Sequence, residues 1–302
     1  MRVLVTGAGG TLGHALAPAL AAEGHEPVLF DVRRFETPHR LVEGDVRQLQ
    51  DVRHAMEGVD LVVHGAALHG IHLRDHTPQD FHELNVTGTF NAWEAAAEAG
   101  VRGFIFSSTM GVYGESRLPS GENAAVALRE DLPLLPADIY GLTKVVGEEM
   151  CRYYGRRHGI PSIALRYGMF VPETFFRYGI RLLYGGVDTA DVVGSVLAAI
   201  RALATGRVTW GAFNVESVVP FRQVDGAGLR SDALAVIDRY WPGASQLLRE
   251  RRVERLEPIR EYYPMESIEQ RLGFRPRHDF GQWLEKLRSD PEAVADKPSP
   301  WP

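Results

Sequence analysis

The sequence predicts an α/β fold, a doubly wound parallel sheet with helices on both faces. Two observations predict it. From Met1 to Phe106, short apolar runs alternate with helix-like stretches, the pattern of successive βαβ units. The first of these units carries a glycine turn between its strand and its helix, a layout that brings bare backbone against a pyrophosphate.

Val3, Leu4 and Val5 form the first apolar run. Thr6-Gly7-Ala8-Gly9-Gly10-Thr11-Leu12-Gly13 follows, then an alanine-rich helical segment to Ala22. Gly7, Gly10 and Gly13 stand three apart. Glycines alone are a weak signal, but here a strand precedes them, a helix follows, and an acid comes later in the right place. That acid is Asp31, at the end of the strand Val28-Leu29-Phe30, roughly 20 residues past the glycines, where a carboxylate accepts from ribose hydroxyls. It repels a 2′-phosphate, so the expected cofactor is NAD rather than NADP; Arg33 and Arg34 are placed to soften that preference.

Leu41 to Asp45 reads as a third strand, and Gln48 to Gly58 as a helix with Leu49, Val52 and Met56 on one side. Asp60 to Val63 is a further strand, followed by His64-Gly65-Ala66-Ala67. The small residues there admit a close cofactor approach or, equally, tight packing. His64, His69, His72, His76 and His82 match no common zinc spacing and no cysteine joins them, so no metal is expected; local hydrogen bonding or solvent accounts for them, and one of them is placed to face a substrate. Pro78 to Gly100 reads as one long helix and Gly103 to Phe106 as the next strand.

Composition narrows the function classes. The 302 residues suffice for one large domain or two unequal lobes, and 45% hydrophobic with 24% charged content is ordinary for a soluble enzyme. A formal net charge of −6 gives no reason to expect nucleic acid or an anionic membrane as partner. No apolar run approaches the roughly 18 residues of a membrane span, and the N-terminus has no signal-peptide layout. Cys151 is the single cysteine, so no internal disulfide forms and the expected location is the cytoplasm. The stretch Pro291 to Pro302 reads as a loose tail.

The chemistry lies further on. Ser107-Ser108-Thr109-Met110 follows the strand ending at Phe106. Tyr140 and Lys144 open a helix expected to run to about Gly155, four apart and so on one face. A free phenol has a pKa of about 10; a nearby ammonium favours the phenolate and makes the group a usable base. Thr109 offers a hydroxyl to the same substrate oxygen.

These residues together resemble the extended short-chain dehydrogenase/reductase family, the NAD-dependent epimerase/dehydratase group. The likeness rests on the glycine turn from Thr6 to Gly13, Asp31, Asp45-Val46, His64 to Ala67, Asn85 to Thr89, Ser107 to Thr109, Val112-Tyr113-Gly114, Tyr140 to Lys144, Leu165-Arg166 and Leu272 to Pro276. It implies a Rossmann-type cofactor domain at residues 1–171 and a smaller substrate lobe at 172–302, with part of 187–220 returning to the sheet. It implies that Gly7, Gly10, Thr11, Leu12 and Gly13 surround the pyrophosphate, that Asp31 holds the ribose, and that Asp45 and Val46 contact adenine. Ala66, Ala67, Asn85, Ser107, Tyr140 and Lys144 complete the cofactor site. Thr109, Tyr140 and Lys144 are catalytic, and family members commonly dimerise through helices that would be Pro78–Gly100 and Asp138–Gly155.

Two departures narrow the expectation. Family dehydratases carry an acidic pair after the catalytic Ser or Thr; Met110 and Gly111 stand there instead. Nucleotide-sugar epimerases insert a few tens of residues before the helix near Val192; here Arg166 to Pro172 leads through a short loop to Val187. That loop holds Phe175, Phe176, Arg177, Tyr178, Arg181 and Tyr184. Its arginines either bind a carboxylate or phosphate by forked hydrogen bonds or sit in solvent. With Met110 and Arg177 as substrate contacts, the expected substrate is a sugar or uronic acid and the expected activity NAD-dependent oxidation or reduction. The alternatives are a nucleotide-sugar epimerase and a non-enzymatic NAD(P) sensor. Val192 to Leu203 and Ser231 to Glu250 read as helices, Phe213 to Val215 as a return to the sheet, and Arg249 to Arg255 as a solvated charged face.

Overall fold

A computed structural model describes residues 1–117 and 123–289; the expected tail from Pro291 lies outside them. The first half of the chain runs β1 (Arg2–Thr6), α1 (Thr11–Ala22), β2 (Glu26–Asp31), β3 (Arg40–Glu43), α2 (Leu49–Ala55), β4 (Leu61–His64), α3 (Pro78–Phe81), α4 (Gly88–Ala99), β5 (Phe104–Thr109), β6 (Val126–Ala127) and α5 (Ile139–His158). The second half runs β7 (Ser162–Tyr167), α6 (Phe175–Arg181), α7 (Thr189–Ala204), β8 (Trp210–Val215), α8 (Gly226–Ser231), α9 (Ala233–Tyr240), α10 (Ala244–Glu250), β9 (Glu261–Tyr262), α11 (Glu266–Leu272) and α12 (Phe280–Ser289).

Seven strands form one sheet in the order β3-β2-β1-β4-β5-β7-β8, every pair parallel. The chain winds outward from β1 to β3, then resumes at β4 and winds the other way. Its switch point lies between β1 and β4, and ligands of such sheets bind outside the carboxyl ends there. Alternate strand residues feed opposite faces. Val3, Val5, Ile105 and Leu165 pack under α1 and α7, while Leu4, Val28, Phe104 and Phe106 pack under α2, α4 and α5. On the second face Trp93 stacks on Phe104 at 3.8 Å and on Tyr154 at 4.9 Å. A third apolar cluster joins Phe175, Leu229, Ile237, Leu248 and Trp283, away from the sheet. Gly179 makes it possible, since a Cβ there would meet Trp283 at 1.9 Å. β6 and β9 pair alongside as a small parallel ribbon.

Several expected elements differ in extent. The long helix from Pro78 breaks at His82–Thr87 into a π turn, where Gly88 N–H bonds the Glu83 carbonyl, before α4 begins. The helix over Ser231–Glu250 is two pieces, with Ser231 itself ending α8: Asp232 caps α9 by accepting from Ala235 N–H at 3.1 Å, and Pro242 with Gly243 (φ +79°) turns the chain into α10. The third strand stops at Glu43, and α5 continues to His158, where Gly159 at φ +69° ends it. Residues 249–255 are largely exposed, as expected of a solvated face.

Candidate active site

The glycine turn forms the floor of the cofactor cleft. Gly7 adopts φ +69°, and a Cβ on it would meet the Ala66 backbone at 2.7 Å, so β1 and β4 end in bare backbone pressed together. The same contact shows that the Gly65-Ala66-Ala67 stretch serves close packing as well as access. Gly10 caps α1 with no side-chain hydrogen bond, so the N–H groups of Thr11, Leu12 and Gly13 open the helix without a capping side chain. That arrangement fits a pyrophosphate, whose charge would meet those donors and the positive end of the helix. Asp31 is buried; its Oδ2 accepts from Gly9 N–H at 2.8 Å and its Oδ1 from Arg33 N–H at 2.9 Å. Arg33 folds back to donate to the Gly9 carbonyl at 3.0 Å. Asp45 is clamped by Arg47 at 2.6 Å, which holds its carboxyl below the usual range. Val46 is buried, and a Cβ on Gly88 would meet it at 2.7 Å. Its side chain is therefore packing, and its carbonyl accepts from Asn91 Nδ2 at 3.0 Å, which leaves its N–H for any adenine contact.

At the carboxyl end of β5 the catalytic candidates converge. Lys144 is buried and its Nζ donates to the Ser107 carbonyl at 2.7 Å. The same Nζ stands 5.8 Å from the centre of the Tyr140 ring and 5.0 Å from that of Phe106. The Thr109 hydroxyl lies near that of Tyr140 without a well-formed hydrogen bond between them, and Thr109 Oγ1 accepts from Gly111 N–H at 3.1 Å. The Ser107 hydroxyl is buried beside that of Tyr167 without a well-formed hydrogen bond.

One expectation needs correction. The sequence suggested a phenol made acidic by Lys144, whereas burial pushes Tyr140 up to about 12, opposed by the Thr109 hydroxyl. Burial acts on the ammonium too and brings Lys144 down to about 7. The ammonium is engaged by a backbone carbonyl rather than by the phenol oxygen, so this state holds a neutral tyrosine.

Asn85 is buried at the π turn. Its Oδ1 accepts from Leu68 N–H at 2.7 Å, and its Nδ2 donates to the Leu68 carbonyl at 2.9 Å and to Thr143 Oγ1 at 3.0 Å. It holds the loop that carries His69, an exposed residue whose ring lies edge-on to Tyr140 at 6.0 Å. Met110 accepts a hydrogen bond from the Tyr263 hydroxyl at 3.4 Å through its sulfur. Of the two loop arginines, Arg181 bonds Glu173 at 2.6 Å and backbone carbonyls, whereas Arg177 is exposed on α6.

Sequence reasoning missed the support behind β5. Ser108 Oγ donates to Glu148 at 2.7 Å, and the fully buried Glu148 takes both arms of Arg166 at 2.9 and 2.8 Å. Arg166 also donates to the Tyr113 hydroxyl at 2.9 Å, which donates to Asn214 at 2.7 Å. Glu148 stands four residues past Lys144 on the Tyr140 face of α5, a spacing from which it was recoverable. Glu216, just past β8, is also buried. Neither of its carboxyl oxygens has a hydrogen-bond partner among the described residues, and a Cβ on Gly168 would collide with it.

A parallel switch-point sheet, a bare-backbone cradle and a Tyr, Lys and Thr set beside it define the class. The chain belongs to the NAD dependent epimerase/dehydratase family, whose model matches residues 3–174. It is 34% identical over 174 residues to UDP-glucose 4-epimerase of Azospirillum brasilense, covering 55% of this chain and 48% of that enzyme. It is 29% identical over 222 residues to uronate dehydrogenase of Pseudomonas putida, covering 72% of this chain and 78% of that enzyme. The chain spans about half the length of the curated epimerases it matches. A short-chain dehydrogenase/reductase superfamily protein from Agrobacterium tumefaciens, crystallised with bound NAD, shares the fold with a TM-score of 0.71 at 24% identity over 96% of each chain.

Proposed function

We propose that the protein is an NAD-dependent oxidoreductase that moves a hydride to or from a secondary alcohol or lactol of a small sugar or uronic acid. The convergence of Thr109, Tyr140 and Lys144 beside the Gly7–Ala66 cradle carries this reading. Gly7, Gly10, Thr11, Leu12 and Gly13 would hold the pyrophosphate, Asp31 the adenosine ribose, and Lys144 the nicotinamide ribose. When bound, NAD supplies a hydride acceptor and, in its oxidised form, a positive charge near the reacting carbon. Thr109 holds the substrate oxygen. Tyr140 as a neutral phenol gives a proton to a carbonyl oxygen; in the oxidative direction it would first release its own proton to solvent and then, as the phenolate, take the alcohol proton. Asp31, anchored by two backbone N–H groups, favours NAD over NADP. Arg177, exposed on α6, is the candidate partner of a substrate carboxylate.

We also propose a division into a cofactor domain at 1–171 and a substrate lobe at 172–302, and a cytoplasmic homodimer. Phe90 on α4 and Leu142 and Tyr153 on α5 are 45%, 48% and 51% exposed, which suits pairing through these helices. No helix among the described residues is long and apolar enough to cross a membrane.

The test is a panel of aldoses and hexuronic acids with NAD, followed at the NADH absorbance. Steady NADH formation with at least one member is expected. A panel with no NADH, together with isomerised UDP-sugar, would favour the epimerase reading, which the likeness to UDP-glucose 4-epimerase supports. A UDP-induced rise in melting temperature in the presence of NAD would point the same way. No turnover of either kind would leave the sensor alternative.

A further inference from the structure

We propose that His64 is a positioning residue: it ties the dinucleotide cradle, through Thr6 on one side and Thr89 with Asn85 on the other, to the first turn of the catalytic helix. The donors and acceptors leave one self-consistent arrangement. Ala66 N–H donates to Thr6 Oγ1 at 3.2 Å, and Gly65 N–H is shared between that oxygen and the Thr6 carbonyl, both at 3.2 Å. Thr89 gives its proton to a carbonyl, so it accepts from His64 Nε2, and Nδ1 is left to accept the Thr6 proton at 2.8 Å. Nδ1 is then the acceptor and Nε2 carries the ring proton, which it donates to Thr89 Oγ1 at 3.1 Å. Thr89 passes its own proton to the Asn85 carbonyl at 2.5 Å. The Asn85 side chain grips Leu68 and Thr143, and the Thr143 hydroxyl donates to the Tyr140 carbonyl at 2.8 Å. A series of hydrogen bonds, bridged at Asn85 by the residue's own covalent frame from carbonyl to side-chain amide, thus joins the backbone at Ala66, against which Gly7 rests, to the backbone of Tyr140.

His64 is 1% exposed, and burial with the nearby Lys144 charge keeps it neutral, down to about 3. It does not titrate in the working range and does not reach the cleft, so a role as acid, base or ligand is closed to it. What it does is buttress the π turn. That turn is what rotates Asn85 inward, onto the His69 loop and onto α5. A buried imidazole used twice at fixed geometry is a spacer between two strand ends and a helix.

The catalytic arm of the test rests on the proposed oxidoreductase reading, and the structural arm does not. His64→Leu keeps the volume and cuts both hydrogen bonds. His64→Gln keeps one acceptor toward Thr6 and one donor toward Thr89. Amide exchange at Leu68, whose N–H ends on Asn85, is read in each variant with and without NAD, together with NAD affinity and kcat. In His64→Leu the Leu68 amide is expected to exchange about tenfold faster, the loss of roughly one net hydrogen bond. The kcat is expected to fall about tenfold to a hundredfold, with NAD affinity within about threefold. His64→Gln is expected to restore both. Should His64→Leu fold poorly, Thr89→Val cuts the same chain one step on and carries the same expectation. Unchanged Leu68 exchange in His64→Leu and Thr89→Val, or a Gln variant as impaired as the Leu variant, overturns the proposal. If the unmodified protein turns over no sugar, the functional reading fails while the exchange result still decides the role of His64.

Discussion

Lys144 donates to the carbonyl of Ser107 at 2.7 Å and holds its ammonium 5.8 Å from the ring centre of Tyr140. Those two contacts fix the helix that bears the catalytic pair against the strand that bears Thr109. They also place a buried cation beside a half-buried phenol, and both groups move toward their neutral forms: the amine down to about 7, the phenol up to about 12.

Tyr140→Phe removes the hydroxyl and keeps the ring that packs on Gly70 and faces His69. Turnover should fall by about a hundredfold or more, the usual contribution of a positioned acid–base group. NAD affinity, measured by calorimetry, should stay within a few-fold.

Lys144→Met tests the cost of burying that amine. The native pKa lies below the unfolded one, so below pH 7 both states are protonated and the native state carries the full penalty. Between about 7 and 10.5 the unfolded state binds more protons, and native stability rises with pH. The Met variant lacks this dependence. Its stability relative to the parent should therefore be most favourable below pH 7 and decline toward pH 10, as read from urea midpoints.

Glu216→Gln makes the opposite test. Burial raises the Glu216 carboxyl well above its ordinary 4.5. Below 4.5 both states are protonated and no penalty exists. Above it the unfolded chain ionises while the native carboxyl resists, so native stability falls as pH rises toward the native pKa. The Gln variant should match the parent near pH 4 and exceed it at pH 7 to 8 in thermal unfolding.

Gly7→Ala should abolish NAD binding in calorimetry and lower the melting temperature. The added methyl group meets the Ala66 backbone at 2.7 Å, on a residue already at φ +69°.

Glu148→Gln leaves Arg166 charged and buried without its carboxylate. Breaking one side of such a pair costs about 3–5 kcal/mol, which denaturant unfolding would register. A loss below about 1 kcal/mol would mean that Tyr113 and the Glu130 carbonyl suffice to hold the guanidinium.

The alternation of strands and helices from β1 to β5, the glycine turn, Asp31 and the spacing of Tyr140 and Lys144 were legible in the chain, because each follows from local rules; α6, read as part of a short loop, was not. Apolar runs make buried strands, Gly7 supplies a left-handed turn, and a four-residue interval puts two side chains on one helix face. What the sequence left open depends on partners far apart along the chain. His64 was one histidine among several until folding set Thr6, 58 residues away, against one ring nitrogen and Thr89 against the other. Asn85 turns inward only because the helix from Pro78 widens into a π turn that periodicity cannot foresee. The protonation of Tyr140 was misjudged for the same reason. Proximity to Lys144 could be counted in residues, but burial and the competing Ser107 carbonyl exist only after β5 and α5 have packed. Local chemistry chose the elements of this protein; the low-dielectric interior they enclose decided which of its polar groups are charged and which way each hydrogen bond runs.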